Sequence, residues 1–383
     1  MAESAAVPPP GPRRTERRGP AVRLARRTCI RSLSGRSVSR KVTLLAAIVA
    51  LVLGVAAPAL ACPWSADPGK GSSGNNKDFA GLVDVGDRKV YMECRGKGSP
   101  TVVFVSGAGD RTETWNRTLD PSKEAVLPAI AETNRVCAYD RPGTYLAVGG
   151  GKGDFEPSRS DPAPQPTTLR DGVADLHALL AASGERGPFV VVGHSMGGAI
   201  ARLYAAEYPR EVAGLVLVDY TPYEARTALT DRQWGYWKLL LGSPPKGAIA
   251  LYPDVERFDH QRNLEQALAA APLEPMPFVV LSSDQPYDLT PFVDAGVVPA
   301  EEAEEFGRLL FRAILEARAD LVAQVPGARH ITDTRSGHYI HQERPRLVIS
   351  SIREVAGAVR KKTCTLEFKN HGQCIKAEKH ARR

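Results

Sequence analysis

Phe189-Val190-Val191-Val192-Gly193-His194-Ser195-Met196-Gly197-Gly198-Ala199-Ile200-Ala201-Arg202-Leu203-Tyr204 is the stretch whose reading decides the fold. Its first four residues form an apolar run of strand length, and a helix is predicted over residues 198–208. Between them stands Gly-x-Ser-x-Gly. A serine on a sharp strand-to-helix turn needs strained backbone angles, and the residues two before and two after it must be small to avoid collision, hence Gly193 and Gly197. The turn lifts the hydroxyl above the sheet. The helix N-terminus behind it offers unpaired N–H groups and the positive end of a dipole. Ser195 is therefore the candidate nucleophile. The backbone N–H of Met196, the next residue, is a candidate donor to an oxyanion.

Outward from this turn, apolar runs alternate with helical patterns. Strands are predicted over residues 80–85, 89–94, 101–106, 135–139, 189–192, 215–218, 278–281 and 328–332. A helix is predicted from Thr168, with Val173, Leu176, Leu179 and Leu180 on one face and Gly184 as its stop. Two hairpin-like strands followed by strand–helix repeats predict an α/β protein with a mostly parallel sheet. Residues 220–276 and 285–326 exceed the simple repeat, and insertions of that size after strand ends commonly form lids. The Gly/Pro-rich residues 149–166 are expected to form a mobile loop.

The formal charge of +7 resides at the ends. Residues 1–41 carry a net +9, and residues 360–383 carry eight basic against two acidic side chains. The body between is acidic, which excludes a basic nucleic-acid groove there. The basic start, the uncharged apolar run of residues 42–60 and the closing Ala59-Leu60-Ala61 read as an export signal or membrane anchor over residues 1–61. Cleavage after Ala61 would leave Cys62 first, where lipidation is expected in a lipoprotein. Residues 62–77 read as a linker, residues 78–359 as the catalytic domain, and residues 360–383 as a basic tail. The body is expected outside the cytoplasm, secreted or membrane-anchored, where cysteine pairs form. Cys364 and Cys374 could close a small loop in the tail. Cys94 and Cys137 are either a pair or buried thiols. No metal-binding spacing and no dinucleotide fingerprint occur, so no metal or cofactor is expected.

Five segments carry a resemblance. They are Val103-Phe104-Val105-Ser106-Gly107-Ala108-Gly109, Ala138-Tyr139-Asp140-Arg141-Pro142-Gly143, the turn at Ser195, Leu215-Val216-Leu217-Val218-Asp219, and Ser336-Gly337-His338-Tyr339-Ile340-His341. From about Phe79 to Val359 the chain resembles the α/β-hydrolase family. The resemblance implies a mostly parallel eight-stranded sheet with helices on both faces and a helical lid. It implies Ala108 N–H as the second oxyanion donor, with Ser106 standing where the family often has His. It implies His338 as the base, with His341 as its competitor. The acid usually follows the strand at residues 278–281, which makes Asp284 the expected residue and Asp219 and Asp288 the alternatives. If the second and fourth strands are neighbours, as in the family's sheet order, Cys94 and Cys137 come within reach of each other.

The chemistry implied is hydrolysis of a carboxylic ester through an acyl-enzyme, on a small-molecule ester or amide. A secreted aminopeptidase of the proline iminopeptidase kind is the alternative. It would need a lid carboxylate for the substrate amine, for which Glu301, Glu302, Glu304 and Glu305 are the candidates. A hydrolase-fold binding protein without activity is the third reading. Membrane attachment, if any, is expected through the N-terminal segment.

Overall fold

A computed structural model of the chain describes residues 77–147, 155–241, 244 and 248–367. The expectations for the export signal, most of the linker, Cys62 and Cys374 fall outside these residues. No helix among the described residues is long and apolar enough to cross a membrane.

The strands are β1 (Phe79–Asp84), β2 (Lys89–Arg95), β3 (Val102–Val105), β4 (Val136–Tyr139), β5 (Tyr145–Ala147), β6 (Phe155–Pro157), β7 (Phe189–His194), β8 (Val212–Val218), β9 (Phe278–Leu281) and β10 (Arg329–Ile331). The helices are α1 (Val126–Ala131), α2 (Leu169–Ser183), α3 (Ser195–Glu207), α4 (Asp231–Leu240), α5 (Ala248–Leu251), α6 (His260–Leu268), α7 (Thr290–Asp294), α8 (Ala300–Ala323), α9 (Ile340–Glu343) and α10 (Pro345–Glu367). Eight strands form one sheet in the order β1-β2-β4-β3-β7-β8-β9-β10. Only β2 runs against its neighbours; the pairs from β4 to β10 are parallel.

Parallel strands covered on both faces read as unbroken apolar runs, and β3, β4, β7 and β9 are buried at every residue. Their alternate side chains feed two cores. Val103, Val105, Val191, Leu215 and Leu217 face one, with α2 and α3. Val102, Phe104, Val190, Val192, Val216 and Val218 face the other, with α1 and α10. Helix α2 has the predicted ends: Thr168 and Asp171 form a capping box, and Gly184 turns left-handed at φ 74°.

Residues 94 and 137 face each other across the antiparallel β2–β4 pair, and their side chains form a disulfide. Part of the Gly/Pro-rich loop differs from expectation. Residues 155–157 pair with 145–147 as a short hairpin. Beyond it, Ser160 Oγ accepts from Tyr91 N at 2.8 Å and Asp161 N donates to Lys89 O at 2.9 Å. The segment from residue 155 is thus laced to β2 by polar bonds that composition does not reveal.

Candidate active site

Ser195 sits at the junction of β7 and α3 with φ 52°, a left-handed angle that a residue with a Cβ adopts only under constraint. The constraint is close packing. A Cβ on Gly193 would lie 2.6 Å from Gly197 O, one on Gly197 would lie 2.1 Å from Ser106 O, and one on Gly198 would lie 2.3 Å from the Tyr220 Cβ. Three glycines therefore let β7, α3 and the loop after β3 approach as backbone. Met196 is the second residue of α3, so its N–H has no partner within the helix.

The loop after β3 is held from behind. Arg141 donates to the carbonyls of Ser106 at 2.6 Å and Gly107 at 2.5 Å. In a trans peptide the N–H points away from the carbonyl. Fixing Gly107 O on Arg141 therefore turns the Ala108 N–H to the opposite side. Ala108 and Ser195 line one cavity of about 380 Å³. Arg141 is itself buried against Glu256 (Nε to Oε1 2.7 Å, NH2 to Oε2 3.0 Å), and Glu256 Oε2 accepts the Gly109 N–H at 2.7 Å. Glu256 belongs to the first insertion, so a residue of that insertion helps to shape the loop beside Ser195. Ser106 adds a brace by accepting from Trp115 Nε1 at 3.1 Å and donating to Arg111 O at 3.3 Å.

His338 lies on the loop after β10 and lines the same cavity as Ser195. Its Nδ1 is 2.6 Å from Asp219 Oδ2. Asp219 directly follows β8, is left-handed at φ 42°, and is 1% exposed. Burial alone would raise its carboxyl, but the Arg318 guanidinium and the His338 bond outweigh burial and hold it at about 2. Arg318 NH1 donates to Asp219 Oδ1 at 2.6 Å, and Ser283 N donates to the same oxygen at 2.7 Å. A charged residue so placed stays ionised and fixes the imidazole with its Nδ1–H towards Asp219, leaving Nε2 as the unprotonated nitrogen.

Asp284, the expected acid, is elsewhere. Its carboxylate accepts the backbone N–H groups of Arg335 at 2.9 Å and Ser336 at 3.0 Å. It shapes the loop that carries His338 rather than touching the imidazole, so the acid assignment moves to Asp219. The reason is register: Asp219 directly follows β8, whose neighbour β9 ends at Leu281, and Asp219 N donates to Leu281 O at 2.8 Å. That bond brings the two strand ends together, and Asp284 lies beyond the point where the chain turns outward. Asp288 lines the cavity, but its Oδ1 caps Thr290 N at 2.9 Å.

The competing histidine is sealed underneath. His341 is fully buried, its Nε2 is 3.0 Å from Thr114 Oγ1, and burial lowers its pKa to about 3. His194 is also buried, and its Nε2 lies 3.0 Å from the carbonyl oxygen of His338.

Both insertions wall the cavity, through Trp237, Leu240 and Leu241 from the first and Tyr287 and Phe292 from the second. The acidic run on α8 does not reach it. Glu302 pairs with Arg232 at 2.6 Å, and Glu301, Glu304 and Glu305 do not line the cavity. Among the described residues its carboxylates are Asp110 and Asp288. Sequence reasoning missed Arg141, Glu256, Asp110 and Arg318. For Arg318 a signal existed: with Phe306, Leu310 and Ile314 it lies on the apolar stripe of α8, and a charge on such a stripe calls for a buried partner.

Residues 102–350 match the family model described as Alpha/beta hydrolase family. A Gibberella zeae protein named AB hydrolase superfamily protein is 23% identical over 301 residues, covering 68% of this chain and 87% of its own length. Lipase LipV of Mycobacterium tuberculosis is 54% identical over 54 residues, covering 14% of this chain and 20% of its own. Among solved structures, naproxen esterase (carboxylesterase NP) from Bacillus subtilis superposes with a TM-score of 0.42 at 12% identity, covering 73% of this chain and 91% of that one. The chain spans 25%, 57% and 41% of the length of three other curated relatives that it matches.

Proposed function

Because the chain belongs to the alpha/beta hydrolase family, we propose that it cleaves a carboxylic ester through an acyl-enzyme on Ser195. The observation that carries this reading is the contact between His338 and Asp219 at the cavity that Ser195 lines. His338 Nε2 takes the hydroxyl proton as Ser195 Oγ attacks the carbonyl carbon. The oxyanion forms within reach of the Ala108 and Met196 N–H groups. Collapse breaks the bond to the alcohol, which leaves with the proton from His338. Water then attacks the acyl-enzyme by the same base, and the acid is released. Apolar walls suit an ester with a hydrophobic acyl or alcohol part.

The Cys94–Cys137 disulfide and the N-terminal basic-apolar segment support a site of action outside the cytoplasm, with membrane attachment through that segment or through Cys62.

Labelling with a fluorophosphonate tests the nucleophile, and p-nitrophenyl esters compared with aminoacyl anilides test the bond. Labelling that disappears in Ser195→Ala, with ester turnover, is expected. An unlabelled wild-type protein would sink the reading, and cleavage of anilides alone would replace the ester with an amide.

A further inference from the structure

Asp110 stands in the cavity without a counter-ion. Among the described residues it forms no ion pair, and one carboxylate oxygen, Oδ2, is buried with no hydrogen-bond partner. Its backbone is fixed, with N donating to Gly107 O at 3.2 Å. Arg141 is the nearby guanidinium, but it is taken by Glu256 and two carbonyls. A second orphan stands beside it. His194 Nε2 meets a carbonyl oxygen, which can only accept, so Nε2 carries the proton and Nδ1 is a bare acceptor. That Nδ1 is buried and unpartnered as well. Asp110 Oδ2 and His194 Nδ1 lie 3.0 and 2.8 Å from the place a Gly107 Cβ would occupy. Two acceptors thus converge beside the oxyanion loop with no donor between them. Buried acceptors left unpaired are costly, so their retention at a cavity points to a ligand that donates.

The surroundings select the donor. Trp237, Tyr287, Phe292 and Tyr339 line the cavity, Asp288 adds a second carboxylate, and among the described residues no Lys or Arg lines it. Carboxylates and aromatic faces together favour a cation. An ammonium brings three donors and the charge that Asp110 lacks. We propose that Asp110, with His194 behind it, forms a subsite for a substrate nitrogen that is positively charged and lies next to the scissile carbonyl. Asp110 is two residues from Ala108, so its Cα lies within about 7 Å of that of the oxyanion donor, and both residues line the same cavity. Burial pushes the Asp110 carboxyl up to about 6 against the pull of Arg141, so it is anionic at neutral pH and gains most from a cation. Glu256 raises the Asp110 carboxyl further, while His338 and Arg117 lower it through the field without forming an ion pair to it.

The substrate class named here rests on the ester-hydrolase reading, and the test separates the two. Phenylalanine p-nitrophenyl ester and p-nitrophenyl 3-phenylpropanoate differ only in the ammonium. The wild-type protein is expected to favour the ammonium ester in kcat/KM. Asp110→Asn is expected to cut that preference at least tenfold. A preference that is unchanged in Asp110→Asn, or that follows Asp288→Asn instead, would overturn the subsite. The binding arm needs no turnover: Ser195→Ala is titrated calorimetrically with 2-phenylethylamine and with 2-phenylethanol. Tighter amine binding that vanishes when Asp110→Asn is added supports the subsite even if no ester is cleaved, in which case only the catalytic reading fails. Equal binding of amine and alcohol refutes it.

Discussion

Replacing Asp219 with Asn keeps the shape of the side chain and removes its ability to accept from three donors at once. Arg318 NH1, Ser283 N and His338 Nδ1 lie 2.6, 2.7 and 2.6 Å from its two oxygens. An amide has one oxygen and one NH2. The oxygen goes to Oδ1, where two donors converge and one is a guanidinium, so the NH2 faces His338. The imidazole must then accept at Nδ1 and carry its proton on Nε2, the nitrogen that should receive the Ser195 proton. The tautomer is wrong for catalysis, and the expected loss in kcat is roughly ten-thousandfold, about 5 kcal/mol of barrier. Asp284→Asn, by contrast, exchanges a carboxylate that shapes a surface loop, and the expected loss is below about tenfold, in keeping with one weakened loop contact. The assay is kcat and KM on a p-nitrophenyl ester at 25 °C and pH 7–8, with circular dichroism to show that both variants are folded. Stability needs this check because the depressed Asp219 carboxyl contributes about 2–3 kcal/mol. That contribution is full above the unfolded value near 4 and is lost as pH falls through about 2. If Asp284→Asn loses a thousandfold while Asp219→Asn keeps most activity, the triad drawn here is wrong.

Glu256→Gln places an amide NH2 against Arg141 Nε in one orientation and against both Arg141 NH2 and the Gly109 N–H in the other, so donor meets donor either way. Because it breaks a buried ion pair from one side, it is expected to cost about 2–4 kcal/mol in denaturant titration. It should also lower kcat by roughly ten- to a hundredfold through the loosened oxyanion loop, with KM moving less; a fall in KM-dependent binding alone would contradict this. Asp110→Asn should stabilise the fold in a pH-dependent way. The Asp110 carboxyl is raised to about 6, so folding is penalised as pH climbs from about 4 through 6. The full shift corresponds to about 3 kcal/mol, which residual solvent contact trims to about 1–2 kcal/mol. Thermal melts should therefore show the variant a few degrees more stable at pH 8 and equal to wild type at pH 3.5. A gain that is the same at both pH values would show that the carboxylate is not strained.

What the sequence made legible follows from what is local or periodic. The runs at residues 278–281 and 189–192 were visible as strands because both faces of the sheet are covered, which leaves no polar alternation to confuse the reading. Helix α2 was legible at both ends because Thr168 and Gly184 act within one turn of their own positions. The β5–β6 hairpin was not, because three-residue strands carry no period and the segment that follows it is held by Lys89 and Tyr91, some seventy residues away. Arg141 and Glu256 were hidden for the same reason. Each is an ordinary charged residue until the chain brings them together across 115 positions.

The acid shows the limit most sharply. Parallel neighbours β8 and β9 end at the same rim, so a carboxylate after either strand can reach a histidine that arrives from β10. Proximity along the chain cannot rank Asp219 against Asp284. The decision lies in what else each carboxylate must satisfy. Asp284 is committed to two backbone N–H groups on the histidine's own loop, which is a use for an exposed carboxylate. Asp219 is buried, and a buried carboxylate needs charge compensation that a neutral imidazole cannot supply. Arg318 supplies it, from a helix a hundred residues downstream, and donates to Tyr220 O at 3.0 and 2.6 Å to fix its own position. The cation on the apolar stripe of α8 and the anion at the end of β8 therefore explain each other. The second insertion walls the cavity and also keeps Asp219 ionised, so loosening α8 should cost the proposed activity at His338 without touching it.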